Sequence, residues 1–112
     1  MQHTSTDKST AMEVIAHAIQ AKQMIAATYN GAKIELCPHE LFVRRQSVYL
    51  RALNPNKSRR HDEEANLGNF NITGMSEVVS SNRSFSPLPS FSEIASGTDE
   101  QSIMSVIDGY LG

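Results

Sequence analysis

Phe42, Arg44, Tyr49 and Arg51 are the residues whose types and spacing carry the clearest chemistry in this chain. From His39 to Leu53 the sequence alternates in two runs that meet at Gln46 and Ser47. Read as a hairpin, Val43 faces Leu50 and Leu41 faces Ala52 on the buried side, and the other side collects the two arginines and the two rings. A guanidinium offers a planar fork of donors to phosphate or carboxylate oxygens. A phenol ring offers a face on which a nucleobase stacks, worth ~1–3 kcal/mol per base. His39 and Arg45 lie next to this group in sequence, so the candidate ligand-binding set is Arg44, Tyr49, Arg51, His39 and Arg45. The competing reading is a second hydrophobic face covered by the helix, with arginine stems packed across it.

Other chemistries find less support. A Cys37–His39 nucleophile pair requires both side chains on one strand face, which residues two apart share only if Pro38 between them does not break the extended geometry. No GxSxG elbow, phosphate loop or dinucleotide fingerprint occurs, so no catalytic residue is assigned and a non-enzyme is expected. Cys37, His3, His17, His39 and His61 show no metal-ligand spacing, and neither a metal nor a cofactor is expected. His17 follows Glu13 by one helical turn, the spacing of a solvated ion pair. Lys57, Arg59, Arg60 and His61 are followed at once by Asp62, Glu63 and Glu64. These opposite blocks largely cancel beyond the ~8–10 Å screening length. That stretch reads as a solvated loop, with contact to a nucleic acid through its basic half as the alternative.

The elements that must position these residues are legible in turn. Thr10 and Glu13 match a capping box, and Val14, Ile15, Ala18 and Ile19 then form one stripe of a helix over 11–22. Met24 to Tyr29 is β-rich and ends at Asn30–Gly31, the pair suited to a type I′ hairpin turn. The register this fixes pairs Tyr29 with Ala32, Ala27 with Ile34 and Ile25 with Leu36 on one face. Thr28–Lys33 and Ala26–Glu35 fall on the other. Pro38 marks an edge, bend or bulge. Asn54 to Asn69 reads as a polar loop. Extended structure returns at Phe70 and Ile72, bends or bulges at Gly74, and continues through Met75, Val78 and Val79 to an apolar anchor at Phe85. Ser86 to Ser96 reads as a linker or wrapping arm. Thr98 and Gln101 form a second capping-box match, predicting a short C-terminal helix with Ile103, Met104 and Ile107 on one face and Gly109 at its end.

Composition bounds the rest. A chain of 112 residues, 39% hydrophobic and 20% charged, suits one small globular domain, too apolar for disorder and too polar for a membrane span. Such a domain buries roughly 60–70% of its unfolded surface, which leaves little room for a large enclosed catalytic cavity. A formal net charge of −2 argues against broad adhesion to nucleic acid but leaves room for a local basic patch. The lone cysteine and the polar first ten residues, without an apolar leader, make the cytoplasm the expected location, and the Asn56, Asn71 and Asn82 sequons read as chance. The expected division is a disordered tail over 1–10, a domain over 11–85, and a linker with a C-terminal helix over 86–112. The fold class is α+β, mainly β: a small, strongly bent antiparallel sheet with an N-terminal and a short C-terminal helix.

The pieces AIQAKQMIAATYNG, PHEL and VYLRALNP, followed by a polar loop and a strand at Phe70, resemble the WYL domain in order and spacing over about residues 12–85. The resemblance implies an Sm-like barrel with a packed helix. It also implies a sensor of nucleic-acid or nucleotide-like ligands, of the kind found in bacterial transcription regulation and phage defence. Val48 stands where the family has tryptophan, and Phe70 to Met75 lacks the two arginines usual there. No helix-turn-helix precedes the resemblance, so contact with a promoter is expected to come from another component.

Two functional readings follow. One is a non-enzymatic ligand-sensing or nucleic-acid-binding regulatory module that takes single-stranded nucleic acid or a nucleotide-like ligand. The other is a structural or oligomerisation module that keeps the fold without the pocket and meets a second copy or a partner protein through the C-terminal helix.

Overall fold

The computed structural model describes residues 8–56, 67–88, 91 and 99–106. Helix α1 runs over Lys8–Ala21. Ala11, Ile15, Ala18 and Ile19 form its buried stripe, while Glu13, His17 and Gln20 face outward. The helix starts before Thr10, so that residue sits inside the first turn and the expected capping box is not the N-terminus. Lys22, with φ 57°, closes the helix by donating its N–H to the Ile19 carbonyl at 3.3 Å, and the chain passes at once into β1.

Six antiparallel strands follow: β1 Gln23–Tyr29, β2 Ala32–Arg44, β3 Ser47–Leu53, β4 Gly68–Asn71, β5 Met75–Ser84 and β6 Glu100–Ser105. Their order is β4-β3-β2-β1-β5, with β6 laid along β2. The β1–β2 hairpin has the predicted register, Ile25–Leu36, Ala27–Ile34 and Tyr29–Ala32. Asn30 and Gly31 take φ 50° and 88° at its turn. That left-handed pair matches the twist of the flanking strands, which fixes every side chain to its face.

β2 is long enough to serve two sets of partners. Residues 32–36 pair with β1, and residues beyond Leu36 pair with β3 on one edge and β6 on the other. Pro38 faces Ala52 and Glu40 faces Arg51, leaving His39 as an extra residue in the ladder. This bulge reverses the strand's phase, so Leu36 before it and Leu41 after it both enter the same core. The prediction of a bend or bulge at Pro38 is met one residue later.

The β2–β3 turn is Arg45–Gln46, with φ 51° and 68°, and not Gln46–Ser47. Leu41 therefore faces Leu50 and Val43 faces Val48. The slip moves each pair along by two residues, which preserves faces. The expected division of residues between the two faces survives although the pairs do not, and Phe42 and Arg51 on the second face are buried as well.

Two further expectations are corrected. The sheet is not a closed barrel: among the described residues its ends, β4 and β5, do not pair. A 3₁₀ turn over Ile72–Gly74 separates them, capped by the Asn71 side chain accepting from the Thr73 N–H. α1 lies against the sheet and covers the core in place of edge closure. The C-terminal helix is also absent where it was expected, because residues 100–105 form β6. An available edge of β2 and complementary charge there outweigh a short helical stripe that is marginal alone. Thr98 and Ile107 lie outside the described residues, as do most of the 1–10 tail, the charged run 57–64 and much of the 86–96 arm.

Phe91 and Val106 belong to the core beside Ile15, Ile19, Ile25, Leu36, Leu41, Leu50 and Ile72. Complete burial of a side chain of this size stabilises by ~1.5–3 kcal/mol. Tyr29 meets Phe70 edge-on at 5.2 Å and ties β1 to β4. No helix among the described residues is long and apolar enough to cross a membrane.

Candidate ligand-binding site

The even-numbered residues of β2 beyond the bulge, Glu40, Phe42 and Arg44, share the outer sheet face with Tyr49 and Arg51 of β3. Phe42 and Tyr49 stack at 5.6 Å with 19° between their planes. The Arg51 guanidinium lies 4.2 Å from the Phe42 ring centre and that of Arg44 lies 4.7 Å from the Tyr49 ring centre. The four side chains thus form a ladder with a cation at each end of a ring pair. Each such contact contributes ~0.5–2 kcal/mol according to how well it is desolvated.

The ladder is also charge-matched. Arg51 donates to Glu40 at 2.6 Å and to Glu100 at 3.0 Å. Arg44 reaches Glu100 at 3.6 Å. Arg45, in the turn, reaches Asp99 at 3.5 Å. Every arginine of the predicted set therefore meets a carboxylate, two of which are Glu100, the first residue of β6, and Asp99 just before it. The predicted set holds both proposed features, an arginine–aromatic cluster and arginine stems packed over a buried ring, since Phe42 is only 1% exposed.

Arg44, Tyr49 and Arg51 are brought together. His39 is not with them in its contacts. Its Nδ1 lies 2.8 Å from the Cys37 carbonyl and its Nε2 accepts the Leu88 N–H at 3.0 Å. The ring packs against Phe85 and Phe91, each at 5.3 Å. These partners fix the neutral tautomer with the proton on Nδ1. Burial pushes its pKa below the ordinary histidine value, opposed by the Cys37 carbonyl. His39 is a buried clasp for the segment after Phe85. Burial raises the Cys37 thiol above its ordinary value, with Arg83 opposing and Glu35 adding to the rise. Both nitrogens of His39 are engaged by backbone, so the ring is not turned to that thiol as a base.

A groove lies apart from this cluster. The outer face of the β1–β2 hairpin floors a groove of about 640 Å³ lined by Thr28, Lys33, Glu35, Asn54, Asn56 and Glu77, with Ala26 at its base. Thr28 donates to Glu77 at 2.9 Å, and Asn56 donates to Glu35 at 3.3 Å. The signal is present in the alternation: Ala26 is a small residue in phase with Thr28 on the face opposite Ile25 and Ala27. Glu40 was legible in the same way, in phase with Phe42 and Arg44. Asp99 and Glu100 were not, because their place depends on β6. Compared with family models and with curated proteins, the chain matches none.

Proposed function

We propose that this chain is a non-enzymatic, WYL-type binding module for a ligand bearing both phosphate and a planar base, either a nucleotide or a short single strand of nucleic acid. The observation that carries the reading is the convergence of Arg44 and Arg51 on the stacked Phe42–Tyr49 pair. Arg44 and Tyr49 are the half-buried members and meet the ligand, while Phe42 and Arg51 are buried supports. With Phe42 and Arg44 against the Tyr49 ring, the base stacks on the Arg44 guanidinium and Tyr49 offers its edge and hydroxyl. Regulation of bacterial transcription or defence is the setting that the resemblance suggests for such a module.

An isotopically labelled chain titrated to millimolar oligothymidylate, and separately to a mononucleotide and to inorganic phosphate, tests this. Resonance shifts are expected to centre on Arg44, Tyr49 and Arg51. The oligonucleotide should act at the lowest concentration and phosphate alone at the highest. Shifts absent from these residues with all three probes overturn the reading.

The charge-matched pairs favour a second reading, a scaffold in which the ladder is a structural spine. Under it, Arg44→Ala and Tyr49→Ala change stability and nothing else.

A further inference from the structure

We infer that β6 is a built-in competitor for the arginine face, its acidic start occupying the places that a ligand's phosphates would take. Asp99 and Glu100 are consecutive, and between them they meet Arg45, Arg44 and Arg51 at 3.5, 3.6 and 3.0 Å. A carboxylate and a phosphate present similar oxygen acceptors to a guanidinium, so one displaces the other without rearranging the arginines. With β6 in place the three cations are matched by Glu40, Asp99 and Glu100. With its first half lifted only Glu40 stays, and the face becomes basic.

The way β6 is held supports this. Among the described residues it pairs with β2 alone, and Ile103 is an extra residue that interrupts the ladder between Leu41–Met104 and Phe42–Ser102. Gln101, Ser102 and Ile103 are exposed. The far end is anchored differently: Ser105 and Val106 are buried, and the Val106 N–H donates to the His39 carbonyl at 2.9 Å. The strand therefore has an apolar anchor after the bulge and a charge-held end before it. Local opening is drawn from segments of low burial, and here Asp99 and residues 101–103 are exposed while Glu100 is the one well-covered side chain of this end. Opening at residues 99–103 frees Arg44 and Arg45 and one of the two bonds of Arg51, while the anchor keeps β6 attached.

The proposal rests on the arginine face being the ligand seat. Because the seat is free only in the opened fraction, the apparent affinity is lowered by that fraction. The test is fluorescence anisotropy of a short labelled oligothymidylate at low salt. It uses the full chain, Asp99→Asn/Glu100→Gln, and a charge-matched control, Glu13→Gln/Glu77→Gln, whose acids lie elsewhere. The first variant should bind on the order of tenfold more tightly than both the parent chain and the control. A cysteine pair at the facing positions Val43 and Gln101, Val43→Cys/Gln101→Cys, should abolish binding when oxidised and restore it when reduced. If parent and variant bind equally and Arg44→Ala weakens both, the competitor role falls and the seat stands. If neither binds, both fall.

Discussion

Arg51 and Glu40 face each other across β2 and β3 with 2.6 Å between donor and acceptor, and both side chains are more than nine-tenths buried. An arginine in that position cannot be neutralised, so its surroundings must supply the countercharge. Arg51→Met is expected to destabilise the fold by ~3–5 kcal/mol, because Glu40 is left buried without this partner. Adding Glu40→Leu should recover much of that loss. Urea denaturation of the single and double variants checks this, and strictly additive losses would count against it.

His39 sets a pH dependence whose sign follows from its depressed pKa. Between the folded and unfolded values the unfolded chain binds more protons, so stability rises with pH there. The contribution is complete above the unfolded value of about 6.5 and is lost as pH falls through the folded one. Protonated Nε2 can no longer accept the Leu88 N–H, and the segment after Phe85 is released first. Urea midpoints should fall from pH 7.5 to pH 5, and the fall should be smaller in His39→Gln. A midpoint that rises toward low pH contradicts the clasp.

Two glycines are required for different reasons. At Gly31 a Cβ would meet nothing within 4 Å, but φ is +88°. Gly31→Ala should therefore cost ~1–2 kcal/mol through backbone conformation alone. At Gly74 a Cβ would lie 2.9 Å from the Asn30 Oδ1 and 3.0 Å from the Tyr29 Cε1. Gly74→Ala should cost ~1–3 kcal/mol through crowding. Asn30→Gly should relieve part of the second loss and none of the first, a contrast that thermal melts can resolve.

Leu50 is fully buried in the core, whereas Val79 on β5 is 54% exposed. Leu50→Ala should cost ~2–5 kcal/mol and Val79→Ser less than about 0.5 kcal/mol. Equal losses in denaturation would place the core elsewhere.

The parts of this fold that the sequence announces are those governed by short-range periodicity. Ile25, Ala27, Ile34 and Leu36 could be paired residue by residue because Asn30–Gly31 admits one turn geometry. Arg45–Gln46 has no glycine, and two adjacent turn positions there preserve the same faces, so alternation found the Phe42–Tyr49–Arg51 cluster without its register. β6 lay beyond such reasoning. Ile103 and Met104 suit a helix stripe as well as a strand, and what decides between them is an edge of β2 some sixty positions away. The same distance hid Asp99 and Glu100, so cluster membership and the Glu40 countercharge were readable and the rest of the neutralisation was not.

The single extra residue at His39 has a consequence for how this chain tolerates change. Deleting one residue there would restore strict alternation through β2 and exchange inside for outside along everything up to the turn. Glu40 and Arg44 would be driven into the apolar core, and Leu41 and Val43 would be moved onto the charged arginine face. Paired insertions or deletions of two residues in this strand should thus be survivable where a single one is ruinous, a parity rule written into the molecule by one misfit position.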